Sequence, residues 1–326
     1  MFGRVSLLVL LVACGPRIAV GDDPVVKGNV APTGSTGPTG QTGLSGASGM
    51  LWPLAGTDGT DWVVNNYVDL DPSPGVRDYK GGAKSYDGHR GIDIDIASFR
   101  PMDAGVDIVA SRGGVVERVI SQYPDRHTAC VDDLWNVVDV RHSDGSLAMY
   151  GHLRTHSPVV TVGQSVTAGQ KLGQVGSSGC STNAHLHFEL LSAAGQVLEP
   201  FQIGWFAMPP VYDTEPRVME SVLKNGFFSD ISELRDPRPD ASTVSRGQPL
   251  GIGVTLAGID AGDAIVFEYK RPGGVATLIG SLSPTEAYRR SHWWYNFVVP
   301  NEAPGLWTIR VKINGVLLHS KDITVN

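Results

Sequence analysis

The chain has 326 residues, 41% of them hydrophobic and 18% charged, with a formal net charge of −7. That composition belongs to a soluble globular protein, and at roughly 100 to 200 residues per domain it predicts two domains. No run or stripe of Lys and Arg is present to neutralise a phosphate backbone, which excludes nucleic acid as an expected partner.

Residues 1–21 predict an export signal. Arg4 precedes an apolar run from Val5 to Ala13, broken only by Ser6. The run is too short for a bilayer span of about 20 residues but fits a signal-peptide core. It ends in Leu11-Val12-Ala13-Cys14, which resembles a bacterial lipobox, where cleavage precedes the cysteine and Cys14 is acylated. The rival is ordinary secretory cleavage after Ala19-Val20-Gly21. Lipidation is the preferred reading and predicts a lipid anchor in a bacterial membrane, on the periplasmic or envelope side. Both readings export the protein.

Residues 22–50 predict a tether. Gly34, Gly37, Gly40, Gly43, Gly46 and Gly49 fall at a strict period of three, with Pro32 and Pro38 interspersed. The period is collagen-like, but the run is short and poor in proline, so an extended linker is preferred to a wound trimer. The chain is expected to be a monomer.

Residues 51–208 read as short strands. Asp107–Ala110, Gly114–Ile120, Asn136–His142 and Ser146–His152 alternate or carry β-branched residues, and Asp144-Gly145 supplies a turn between the last two. Two further segments carry the chemistry. In His89-Arg90-Gly91-Ile92-Asp93 and His185-Leu186-His187, the histidines and the aspartate stand four and two residues apart. In a strand, even separations share a face. Ile92, Ile94 and Ile96 alternate with Asp93 and Asp95, and Leu186, Phe188 and Leu190 alternate with His185, His187 and Glu189. One face of each strand is therefore fit for a core and the other carries imidazole and carboxylate. Nitrogen and oxygen ligands of this kind suit Zn2+, and three of them leave a fourth position open for a reactive water.

Residues 209–326 change character after Met208-Pro209-Pro210. Ile252–Leu256, Ala264–Tyr269, Trp293–Val299 and Leu306–Ile313 alternate between glycine, proline and Asn314-Gly315 turns. The fold class expected is all-β and antiparallel, with this region an immunoglobulin-like β-sandwich lacking a catalytic constellation of its own. Of the adjacent pair Trp293 and Trp294, one is expected to face the core and the other could stack on sugar rings.

The blocks His89-x-x-x-Asp93, Tyr150-Gly151-His152-Leu153 and His185-Leu186-His187-Phe188-Glu189, in that order, resemble the lysostaphin/LytM-type M23 zinc endopeptidases, which cut peptidoglycan cross-bridges. The stretches Val162–Val166, Gly169–Gly173 and Gly176–Gly179 belong to the same resemblance, which runs over residues 51 to 205. It implies a LytM-like antiparallel catalytic domain, peptidoglycan peptide stems as substrate, and His89, Asp93 and His187 as zinc ligands. His152 and His185 become the non-ligand catalytic histidines, with His185 as base and His152 supporting the oxyanion, and exchanged roles left open. Where members often carry Gly-Pro before the last His-x-His, this chain has Asn183-Ala184. A catalytically silent scaffold that activates wall amidases, a wall-binding protein, and a latent enzyme covered by residues 52–88 are the alternatives.

Tyr150, alternating with His152 on a strand, is expected to help position substrate. His142 is expected to be structural or to line the groove, and His127, His156, His292 and His319 to be packed or solvated. In an exported chain Cys130 and Cys180 are an even pair, readable as a disulfide that pins an inserted loop beside the site or as two buried thiols.

Overall fold

The computed structural model describes residues 49–131, 134–213 and 215–326. Cys14, the signal and nearly all of the tether lie outside the described residues. Almost all regular structure is β. Among the described residues no helix is long and apolar enough to cross a membrane.

The described residues of the first half form twelve strands. β1 (Trp62–Asn66), β2 (Ile92–Ile96), β3 (Asp107–Val109) and β4 (Gly114–Ile120) come first, with helix α1 (Phe99–Ala104) between β2 and β3. β5 (Ala129–Cys130), β6 (Val137–Arg141), β7 (Leu147–Gly151) and β8 (Ser165–Val166) follow. β9 (Lys171–Gln174), β10 (Cys180–Ser181), β11 (His185–Leu191) and β12 (Val197–Leu198) complete the set. The main sheet has the order β1-β2-β11-β7-β6-β4-β8, and β12 pairs with β11. All of its pairings are antiparallel.

Alternation explains how that sheet packs. Ile92, Ile94 and Ile96 of β2, Val138 and Val140 of β6, and Leu186, Phe188 and Leu190 of β11 enter one core, together with Trp62, Phe99 and Phe206. Because the side-chain period of a strand is two, that choice turns Asp93, Asp95, His185, His187 and Glu189 to the opposite face. A one-residue bulge in β1 matters here. Val64 pairs with Ile94 but Asn66, not Asn65, pairs with Asp93, so the extra residue swings Asn66 onto the polar face.

The second half adds β13 (Arg217–Asn225), helix α2 (Ser232–Arg235), β14 (Thr243–Val244), β15 (Pro249–Ile259) and β16 (Ile265–Lys270). β17 (Ala276–Leu282), β18 (Tyr288–Val298), β19 (Gly305–Ile313) and β20 (Val316–Val325) end the chain. They form a three-stranded sheet, β13-β15-β18, and a five-stranded sheet, β14-β20-β19-β16-β17. Ile252, Val254, Leu256 and Trp293 from the first share a core with Phe267, Trp307, Ile309 and Val311 from the second, so the two sheets stack face to face. Trp294 is buried in a satellite cluster with Val222, Phe228 and Leu234. Both tryptophans are therefore packed, and neither offers a face for sugar stacking.

Salt bridges and hydrogen bonds join the two halves. Arg100 pairs with Glu220 at 3.2 Å and Arg126 with Asp236 at 2.6 Å, while Lys84 bonds the Tyr212 carbonyl at 2.6 Å. The N-terminal end of β18 lies against β1.

Candidate metal centre and active site

Three neighbouring strands assemble the site. In the pairing of β11 with β2, His187 stands opposite Asp93 and His185 opposite Asp95. In the pairing of β11 with β7, His187 stands opposite Gly151, which brings the next residue, His152, alongside. His89 enters from the loop before β2. Potential ligand atoms of His89, Asp93 and His187 all lie within 4.8 Å of one another, and all three residues are buried. His187 Nδ1 is 2.9 Å from Asp93 Oδ1, His89 Nε2 is 3.2 Å from Asp93 Oδ2, and the two ring nitrogens are 3.3 Å apart.

Each ring is oriented from behind. His89 Nδ1 bonds the Tyr67 carbonyl at 2.7 Å, which leaves the Nε2 lone pair facing the cluster. His187 Nε2 lies 3.5 Å from Glu189, whose carboxyl is itself tied to Arg90. Asn66 Nδ2 donates to Asp93 Oδ2 at 3.1 Å. His152 Nδ1 donates to the Ser178 carbonyl at 2.6 Å, and His185 Nδ1 to the Asn183 carbonyl at 2.8 Å, with Ser181 Oγ at 3.2 Å. Both rings thus turn Nε2 into the site, with centroids 4.4 Å apart.

The electrostatics match a cation site. Burial alone would raise Asp93, but His89, His187 and His185 hold it well below the carboxylate range, so it stays charged. Burial lowers His187, yet its bonds to Asp93 and Glu189 outweigh this and lift it to about 9. His152 moves the other way. Burial, then the neighbouring His185 and His187, push it well below its ordinary value, so it is neutral.

Backbone geometry contributes as well. His152 has φ 59°, in the left-handed region that side chains with a Cβ rarely occupy. That turn ends β7 and throws the imidazole sideways into the site.

Residues 87–200 match the model of Peptidase family M23. The chain carries an M23 peptidase domain. Solved structures similar to it include the following three. A mutant catalytic domain of the prophage-encoded M23 protein EnpA from Enterococcus faecalis is 29% identical, covering 45% of this chain and 95% of that one, with a TM-score of 0.32. The catalytic domain of the antimicrobial peptidase lysostaphin from Staphylococcus simulans is 23% identical, covering 42% and 86%, with a TM-score of 0.27. Helicobacter pylori Csd3 is 18% identical with a TM-score of 0.33, and the match covers 49% of this chain but 35% of that chain.

Within the M23 domain all five motif residues come together. Tyr150 does not. It is fully buried in the core, with its hydroxyl 2.7 Å from Ser111 Oγ and its ring against Phe188. The left-handed φ at His152 breaks the alternation, so the two residues do not share a face. His142 sits at the far end of β6, bonded to the Gly113 carbonyl at 3.0 Å, and pins a hairpin away from the site. His127 bonds the Gly179 carbonyl, His319 bonds Ser221, and His292 is buried beside Thr255, all outside the motif cluster.

Cys130 and Cys180 form a disulfide that ties β5 to β10. Beside it, Trp135 packs its ring 4.8 Å from His152 and 5.5 Å from His187. Tyr86, 43% exposed, stacks on His89 at 4.4 Å from the other side. Neither aromatic was singled out by spacing. Tyr86 lies in a polar loop between Gly82 and Gly88, and Trp135 stands beside Leu134 just ahead of β6, where local pattern gives no sign of the site.

Proposed function

We propose that the chain is an exported zinc metalloendopeptidase that hydrolyses peptide cross-links of peptidoglycan. The observation that carries this reading is the convergence of His89, Asp93 and His187 beside two further histidines on one sheet face of an M23 domain. The donor set fits zinc: two imidazole nitrogens and a carboxylate, crowded together, buried, and each fixed from behind. His89 through Nε2, His187 through Nδ1 and Asp93 through its carboxylate would hold the ion. When bound, it supplies Lewis acidity and a water whose pKa is brought toward neutrality.

The remaining work falls to side chains. His185 is assigned as the base, because its Nδ1 is held by the Asn183 carbonyl and its Nε2 points into the site, 3.7 Å from Asp93 Oδ1. It then returns that proton to the leaving amine. Donation by His152 to an oxyanion requires a proton on Nε2, which its burial and its histidine neighbours oppose. As a neutral acceptor it aligns the attacking water. Trp135 and Tyr86 border the cleft that the peptide enters.

Export is supported by the disulfide, since such bonds persist in oxidising compartments. Acylation of Cys14 is part of the same proposal, and loss of fatty-acid labelling in Cys14→Ala tests it. The enzymatic reading is tested by digesting cross-linked peptidoglycan with the zinc-loaded chain beside His187→Ala, with fragments read by mass spectrometry. Released stem peptides with wild type alone are expected, and their masses name the bond. Intact polymer after incubation with zinc-loaded wild type would overturn the reading.

A further inference from the structure

Two consecutive arginines carry the C-terminal half into the site. Arg289 and Arg290 lie at the head of β18 and are both buried, Arg290 to 1% exposure. Arg289 Nη2 donates to Asn66 Oδ1 at 3.2 Å, and the same amide donates through Nδ2 to Asp93. Arg290 Nη1 pairs with Asp95 Oδ2 at 3.0 Å. Its Nη2 reaches Asn183 Oδ1 and the Ala97 carbonyl, each at 3.2 Å. Asn183 is the residue whose main-chain carbonyl orients His185. Each arginine is thus separated from a site side chain by one asparagine: Arg289 from Asp93, Arg290 from His185.

Docking of two modules does not require this arrangement. Burying a guanidinium costs more than an apolar side chain of similar volume unless its donors are satisfied. Among the described residues Arg289 Nε and Nη1 have no hydrogen-bond partner. Burial pulls the group down to about 10, which still leaves it charged at neutral pH. Arg100 with Glu220 and Arg126 with Asp236 already hold the halves together at the surface. What Arg289 adds is a fixed donor on Asn66, which the bulge in β1 has turned toward Asp93. His292 backs Arg290 in the same manner. Burial keeps His292 neutral, its Nδ1 lies 3.0 Å from Thr255 Oγ1, and its Nε2 accepts from Arg290 at 3.2 Å.

We propose that Arg289 and Arg290 are positioning residues of the M23 centre, so that the C-terminal half completes the active site rather than only following it. The inference rests on the zinc reading above. Arg289 fixes the ligand carboxylate through Asn66, and Arg290 fixes the loop that aims His185.

The test uses the full chain and Zn2+ as probe, with affinity read by competition against a chromophoric chelator and melting temperature read on the zinc-free protein. Arg289→Met keeps the volume and removes the donor. Zinc affinity should fall about 10- to 100-fold, the usual effect of losing a group that orients a ligand. The melting temperature should hold or rise, because a buried charge has been replaced by an apolar chain. Arg289→Lys, which restores a donor, should recover part of the affinity. Arg290→Lys keeps a charge facing Asp95 but loses the fork onto Asn183. It should bind zinc as wild type does, with lowered kcat and a displaced pH profile of kcat/KM. Wild-type zinc affinity in Arg289→Met, or a loss of affinity that only tracks a fall in melting temperature, would overturn the role of Arg289. An unchanged pH profile in Arg290→Lys would overturn that of Arg290. A wild-type chain that takes up no zinc would instead undo the metal reading, and this inference with it.

Discussion

His187 stands directly opposite Asp93 across the β11–β2 pairing, and its Nδ1 lies 2.9 Å from the carboxylate oxygen Oδ1. That contact gives the zinc-free centre a defined proton. His187 rises to about 9 because its bonds to Asp93 and Glu189 outweigh burial. Its folded pKa therefore exceeds the ordinary 6.5 of an unfolded histidine. The stabilisation is complete below about 6.5 and is lost as pH climbs through 9. The melting-temperature advantage of zinc-free wild type over His187→Gln should shrink across that window. A constant difference would contradict the assignment.

The same proton competes with the metal. Zinc affinity should weaken roughly tenfold for each pH unit below 9, since one proton must leave Nδ1 on binding. Chelator competition from pH 6 to 9 measures the slope, and a flat profile would remove His187 Nδ1 from the ligand set.

His185 and His152 should separate from the ligands in mutants. His185→Ala and His152→Ala should each lower kcat about 10²- to 10⁴-fold, as loss of a positioned acid–base group does, while zinc content stays near wild type. His187→Ala should lose both. Wild-type turnover in His185→Ala would sink its role as base.

Trp135 depends on having no side chain beneath it. A Cβ added at Gly151 would lie 2.0 Å from the Trp135 ring. Gly151→Ala should therefore displace the ring from over His152, destabilise the protein and raise KM. Adding Trp135→Ala to Gly151→Ala should restore stability without restoring KM, a non-additivity that a double-mutant cycle resolves. Additive effects would mean that the two positions do not share the space.

The Cys130–Cys180 bond closes a loop with sequence separation 50 and anchors the segment that supplies Ser178, Ser181 and Asn183 to His152 and His185. Removing both cysteines should cost about 4 kcal/mol on the chain-entropy account. Turnover should fall while zinc is retained, because the segment aims His152 and His185 but touches no ligand. Denaturant melts and metal analysis of Cys130→Ala/Cys180→Ala check both parts.

Much of this was legible locally. The alternation of Ile92, Ile94 and Ile96 with Asp93 and Asp95 marks a strand with one core face, and His185-Leu186-His187 marks another, while His152 and the division of roles among the five motif residues come from the resemblance to M23 endopeptidases. Tyr150 shows where the same rule failed. Period-two reasoning assumes extended backbone, and the left-handed φ of His152 ends the strand one residue too soon. Trp293 and Trp294 mark a second limit. Opposite faces of β18 were correctly implied, but the far face is covered by Phe228 and Leu234 from a distant segment.

The sequence by itself determined the all-β character and the shared strand faces that carry His89 with Asp93 and His185 with His187, because strand periodicity and side-chain type are properties of a few neighbouring residues; the place of His152 beside them was implied by the family resemblance. Only the tertiary structure decided which strands adjoin, that Cys130 meets Cys180, that Trp135 lies against Gly151, and that Arg289 and Arg290 reach Asn66 and Asn183. Those contacts join segments up to 223 residues apart. No local pattern encodes them, since they arise when burial of two separate cores fixes the distance between side chains that the chain itself leaves far apart.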